Sequence, residues 1–220
     1  MSDILPEPYD FACYDRTELL ADRAVHFVGI LGALGGVAWL ISRLPPEVSA
    51  KLVISVWIYG FGLLGMLTAS ALYNLNLAAA RHVRARLRRL DHAMIFVMIA
   101  ASYTPFALNA FPEFSGHLLF VIIWSVAIAG IMLRSLAAPQ FDRLSLGLYI
   151  GMGWIILGFL PTLVSSVTEC SLVLLIFSGI VYSVGALFHA WGRVRFNNAI
   201  WHVTVLFGAA LHYGAVVQLL

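Results

Sequence analysis

Residues 52–73, LVISVWIYGFGLLGMLTASALY, run for 22 positions without a charged side chain. As a helix rising 1.5 Å per residue this stretch is about 33 Å long, enough to cross a hydrocarbon core of about 30 Å. In water it would need enclosure by elements with polar outer faces, and the chain has few residues to make them. Hydrophobic side chains are 61% of the 220 residues and charged ones 11%, against about 25% charged in a soluble domain. Thirteen basic and eleven acidic side chains cannot coat a 24.1 kDa particle, and mean hydropathy is +0.92. A soluble globular protein is therefore excluded, and the surrounding solvent is mostly lipid.

Working outward from residues 52–73, the same reading finds seven spans, at about 22–42, 52–73, 91–111, 117–135, 144–164, 171–190 and 198–219. The separating signals are Arg43 to Glu47 with its Pro45-Pro46 pair, the basic run 81–89, Phe111-Pro112-Glu113, Ala138 to Arg143, Ser165 to Cys170, and Gly192 to Asn197. The expectation is an all-α integral membrane protein, one seven-helix domain over 1–220 with a cytoplasmic segment at 1–20. Acidic residues at the start, where a signal peptide is basic, argue against a cleaved leader. Glycine groups at Gly29, Gly32 and Gly35, at Gly62 and Gly65, and at Gly147 and Gly151 offer small faces for close helix packing. Pro105 is expected to kink or end the third span and Pro161 to do the same near the end of the fifth.

Orientation follows from the basic residues, which are retained on the cytosolic side. With the N-terminus inside, Arg16, Arg23, Arg81, Arg84, Arg86, Arg88, Arg89, Arg134, Arg143, Arg193 and Arg195 are cytosolic, and only Arg43 and Lys51 lie outside. Eleven against two sets the N-terminus in the cytosol and, after seven spans, the C-terminus outside. In a bacterium this is a plasma-membrane protein. The net charge of +2 gives no reason to invoke nucleic acid. Cys13 and Cys170 have neither a disulfide framework nor metal-ligand spacing.

Ionisable groups inside a membrane are costly and so mark candidate sites. Glu18, Asp22 and His26 repeat at i, i+4 and i+8 on the first span. Ser70 and Asn74 end the second, Asp91 and His92 begin the third, His189 ends the sixth, and Asn198 and His202 begin the seventh. All fall in the cytosolic third, which points to a polar pocket open on that side. His212, about 80° around the seventh helix from His202, falls outside this layer. Ser70, His202 and Asp91 form a nominal nucleophilic set, but no donors for an oxyanion can be named among helix amides already bonded.

The strings SALYN at 70–74, RRLDHAMIFVMIAASYTPFAL at 88–108 and NNAIWHVTVLFGAALHYGAV at 197–216, with ELLADRAVHFVGILGALGG early in the chain, resemble the bacterial hemolysin III proteins. Those are grouped with adiponectin and progestin receptors and, more distantly, with alkaline ceramidases. The resemblance implies a seven-helix bundle with a zinc centre in its cytosolic half. The implied ligands are one histidine on the second span and two on the seventh, with Ser70 and Asp91 as candidate catalytic groups supporting the metal-bound water.

Carried over, the ligand positions are 74, 198 and 202, and only His202 is a histidine; the other two are Asn74 and Asn198. Zinc takes imidazole, thiolate or carboxylate, so two amides in three positions are expected to remove the centre and its hydrolytic chemistry. The sequence therefore points to a protein without a cofactor, whose polar layer of Ser70, Asn74, Asp91, Asn198 and His202 is tied by hydrogen bonds. Its expected partners are membrane lipids and an amphiphilic ligand in the cavity, or a protein that it scaffolds. The alternative is a metal-dependent lipid amidase of ceramidase type, with zinc in a rearranged site built from Asp22, His26, Asp91 and His202. Permeabilisation of membranes has no support in the residues.

Overall fold

A computed structural model describes residues 15–76, 78–136, 142–191 and 195–220; side chains 135, 136, 142, 143 and 191 are outside that description. Among the described residues every regular element is helical: α1 (Arg16–Ser42), α2 (Ala50–Leu75), α3 (Arg81–Asn109), α4 (Glu113–Leu136), α5 (Asp142–Gly153), α6 (Leu160–Ser166), α7 (Glu169–Trp191) and α8 (Asn197–Val217). A 3₁₀ turn, Ile155–Phe159, joins α5 to α6. Seven segments are long and apolar enough to cross a membrane, with Leu144–Ser166 as the fifth. Cys13, Arg193 and much of the expected breaks 138–143 and 192–197 lie outside the described residues.

The helix starts follow from local chemistry. Asp15 caps α1, its carboxylate accepting from the Thr17 and Glu18 amides while Glu18 reaches back to the Asp15 amide. This reciprocal box satisfies donors that a helix start leaves open. Ser49 caps α2 through the Leu52 amide at 3.3 Å. The basic run 81–89 is not a break between spans but the opening turns of α3. Arginine is a good helix former, and a run near the headgroups has no reason to uncoil.

Of the two prolines, Pro105 does not end its helix and Pro161 does not mark the break in the fifth span. α3 continues past Pro105 to Asn109, with Thr104 donating to the Ala100 carbonyl at 2.9 Å and Asn109 to the Pro105 carbonyl at 2.9 Å. The carbonyl that Pro105 leaves without an amide donor is that of Ala101, between the two. In the fifth span the interruption comes earlier than Pro161. α5 stops at Gly153, and Pro161 lies in the first turn of α6, where its missing N–H costs nothing. Tyr103 of α3 closes the interruption. Its hydroxyl faces the Met152 and Gly153 carbonyls at 2.9 and 2.8 Å and accepts from the Ile156 amide at 3.3 Å.

α2 and α3 form the middle of the bundle: 56% and 50% of their apolar windows are buried, against 11% in the fifth span. One apolar cluster joins α1, α2 and α8 through Val37, Leu40, Val56, Leu63, Ala215 and Val216. A second joins α3, α4 and the fifth span through Phe96, Leu119, Ile123, Ala127, Met152 and Leu163. The glycines divide accordingly. A Cβ at Gly62 would lie 2.6 Å from the Ala101 Cβ, one at Gly65 2.5 Å from the Met94 Cε, and one at Gly29 2.7 Å from a Leu206 methyl. Gly32, Gly35, Gly147 and Gly151 face open space. Large apolar side chains such as Phe27, Phe61, Phe114 and Leu187 are exposed around the outside, as a lipid-facing surface requires.

Candidate functional site

The i, i+4, i+8 motif of α1 divides into two tasks. Glu18 turns to the start of α8, accepting from the Phe196 amide at 2.9 Å, and Arg195 donates to Asp15 at 2.7 Å. Phe196 has φ 61°, a left-handed conformation that a bulky side chain rarely adopts. Asp15 is exposed, and the Thr17 hydroxyl, the Glu18 amide and the Arg195 guanidinium hold its carboxyl well below the usual range. This clamp lays the start of α1 against the start of α8. Asp22 and His26, one and two turns further on, are buried between α1, α2 and α8.

Six residues are joined there in a continuous chain of hydrogen bonds. The His202 Nδ1 lies 2.6 Å from the Asp22 Oδ1, and the His26 Nδ1 lies 2.8 Å from the Asp22 backbone carbonyl. Since carboxylate and carbonyl oxygens only accept, both Nδ1 atoms carry the proton. The Nε2 atoms of His26 and His202 each lie 3.2 Å from the same Ser70 Oγ. The two rings meet edge to face with centroids 4.3 Å apart. Asn74 donates to the Ser70 carbonyl at 2.9 Å and to its Oγ at 3.3 Å, and Asn198 donates to the Asn74 Oδ1 at 3.2 Å.

Of the expected polar layer, Ser70, Asn74, Asn198 and His202 come together, while Asp91 stands beside them. It lines the same cavity, and its carboxylate lies 3.5 Å from the His92 Nδ1. The carboxylate that orients His202 is Asp22 of the first span. Its spacing from His26 was visible in the sequence, but its partner 180 positions later was not. His189 packs its ring on Trp201. His212 sits deeper, bonded to the Ser102 carbonyl at 3.1 Å and packed against Phe106 and Tyr59.

From this cluster a cavity of about 240 Å³ extends into the bundle. Its polar end is formed by His26, Ser70, Asp91 and His202, and its walls are mostly apolar, with Met98, Ile99, Leu146, Ile150, Leu163 and Leu175 among them. Tyr103, Tyr182 and His212 reach it further along.

Seven apolar spans around a buried carboxylate–imidazole cluster define a polytopic membrane protein with an internal polar site near one end of the bundle. The chain matches the family described as Haemolysin-III related over residues 19–213 and belongs to that family. It is 33% identical to a hemolysin-3 homolog of Bacillus subtilis (strain 168) over 200 residues, 91% of this chain and 93% of that one. Hemolysin-3 of Bacillus cereus is 33% identical across 91% and 90% of the two chains. The human monocyte to macrophage differentiation factor is 30% identical across 94% of this chain and 85% of its own.

The three positions that the family resemblance assigns to zinc do not fit that ion here. The Asn74 and Asn198 side chains are bonded to Ser70 and to each other, and a neutral amide is a poor donor to zinc. No three-imidazole centre is assembled at positions 74, 198 and 202.

Proposed function

We propose that this protein binds a single-chain membrane amphiphile, its polar group at the His26–Ser70–His202 end of the cavity and its chain along the apolar walls, without hydrolysing it. The observation that carries this reading is the continuity of the cavity from the buried polar cluster to an apolar lining. Its volume of about 240 Å³ falls short of the roughly 300–1,000 Å³ typical of drug-sized sites, which suits one aliphatic chain better than two. Hydrolysis in the manner of a metal-dependent amidase needs water activated on a zinc-like centre. The amides at 74 and 198 supply no ligands for the three-imidazole version of it.

The test is lipid analysis of the detergent-purified full chain. One lipid class retained at near one per chain by the wild type, displaced in Ile99→Trp, which fills the cavity, and kept in Leu72→Trp, which alters the lipid-exposed surface, is the expected result. Absence of any enriched lipid overturns the binding reading. Turnover of an amide-linked lipid by the wild type replaces it with the hydrolase.

A further inference from the structure

The far end of the cavity holds polar atoms that the described residues do not satisfy. The His212 Nε2 lies 3.1 Å from the Ser102 carbonyl, which only accepts, so Nε2 carries the proton and Nδ1 keeps an open lone pair. No donor among the described residues meets that lone pair. The Tyr59 ring stacks on His212 with centroids 6.1 Å apart, and Phe106 stands at right angles to it at 5.7 Å. Tyr59 is fully buried, and its hydroxyl has no partner among the described residues. Tyr182 brings a further hydroxyl in the same condition, and both it and His212 line the cavity. The two side chains share one level of the bundle. A Cβ on Gly208, one turn before His212, would lie 2.9 Å from the Tyr182 Cε1 and Cζ, and a helical side chain covers the turn N-terminal to its own Cα. Polar atoms left open in an apolar interior are costly.

We propose that His212 and Tyr182 form a second polar subsite, which takes a hydroxyl carried at the far end of the bound amphiphile's chain, an inference that rests on the amphiphile reading above. The chemistry selects that group. His212 Nδ1 needs a donor, and a phenol donates as well as accepts, so a ligand hydroxyl gives its hydrogen to the first and receives that of the second. A methyl terminus leaves both open. A carboxylate or a carbonyl has no hydrogen for Nδ1, and an ammonium would be a charge at an end of the cavity that no carboxylate lines. Spacing sets the chain length. At 1.5 Å per residue His212 stands about 15 Å beyond His202 along α8. An extended backbone gains about 3.3–3.6 Å per residue, that is per three bonds, so the two oxygens of dodecane-α,ω-diol are the right distance apart.

The test exposes the detergent-purified full chain to an equal mixture of dodecanol, dodecane-α,ω-diol and ω-methoxydodecanol. Mass spectrometry then measures what each chain retains, corrected for retention by empty micelles. The wild type is expected to favour the diol over dodecanol about tenfold, with the methoxy compound, which has the oxygen without its hydrogen, behaving like dodecanol. His212→Phe and Tyr182→Phe should each remove most of that preference, and Ile99→Trp should displace all three probes. If the variants do not fold, the wild type decides, through its ranking of the diol against the methoxy compound. Equal retention of the three probes by the wild type overturns the second subsite and leaves amphiphile binding standing, with water serving the open atoms. Retention of none overturns both. A diol preference unchanged in His212→Phe and Tyr182→Phe overturns the assignment to these two residues.

Discussion

Glu18 shows how much a single side chain decides at this end of the bundle. One of its oxygens accepts from the Phe196 amide and the other from the Asp15 amide, so it both caps α1 and ties it to α8. Glu18→Ala leaves two backbone donors without that carboxylate and is expected to cost about 1–2 kcal/mol, a fall in Tm of about 2–8 °C by soluble-domain scaling. Melting of the purified variant checks it. The neighbouring Asp15 carboxyl is lowered by Thr17, Glu18 and Arg195, so its contribution is complete above about pH 4 and disappears as acid titrates it below that. The repeat of Glu18, Asp22 and His26 on one face was legible, because spacing alone sets it. That Glu18 turns away while the other two turn inward was not legible, since it depends on where the 195–196 backbone arrives.

At the scale of elements, the fifth span is the exception in the bundle. Its apolar length was readable and its interruption was not, because Pro161 drew attention to the wrong place. Gly153, and a tyrosine on another helix, decide where the backbone bonds stop. Tyr103→Phe removes the hydroxyl that serves the Met152 and Gly153 carbonyls and the Ile156 amide. In an apolar setting unsatisfied groups of this kind cost about 1–3 kcal/mol. The variant should therefore melt lower and exchange its amide hydrogens faster at 153–157, with exchange in α2 unchanged. Faster exchange spread evenly over all helices would contradict this local role. The glycines carry the same lesson: Gly62 and Gly65 are packed tightly and Gly147 and Gly151 are not, although their spacings look equally suitable in sequence.

For the molecule as a whole, the number of spans was plain from hydropathy, and the bias of eleven basic residues to two orients them. That orientation places Cys170, which is exposed, outside and Cys13 in the cytosol. A membrane-impermeant maleimide added to intact cells should label Cys170 in a Cys13→Ser variant and leave Cys13 unlabelled in a Cys170→Ser variant until the membrane is opened. The reverse pattern would invert the bundle and move the cluster to the outer side. The site was legible as a layer of polar residues at one depth, but its bonding was not, because depth is set by each helix separately and contact is set by how α1 and α8 lean together.

The pairing of Asp22 with His202 joins the first helix of the chain to the last across 180 positions. At about 5–20 residues per second, roughly 10–40 s of synthesis separate the appearance of the two partners. Throughout that interval the Asp22 carboxylate of the first helix lies in lipid without the His202 imidazole that gives it its 2.6 Å partner. Completion of the chain is thus chemically marked: a truncated or stalled product keeps a polar face that the finished protein hides, and quality-control proteases that recognise polar residues in the bilayer have a timer built into the order of the helices.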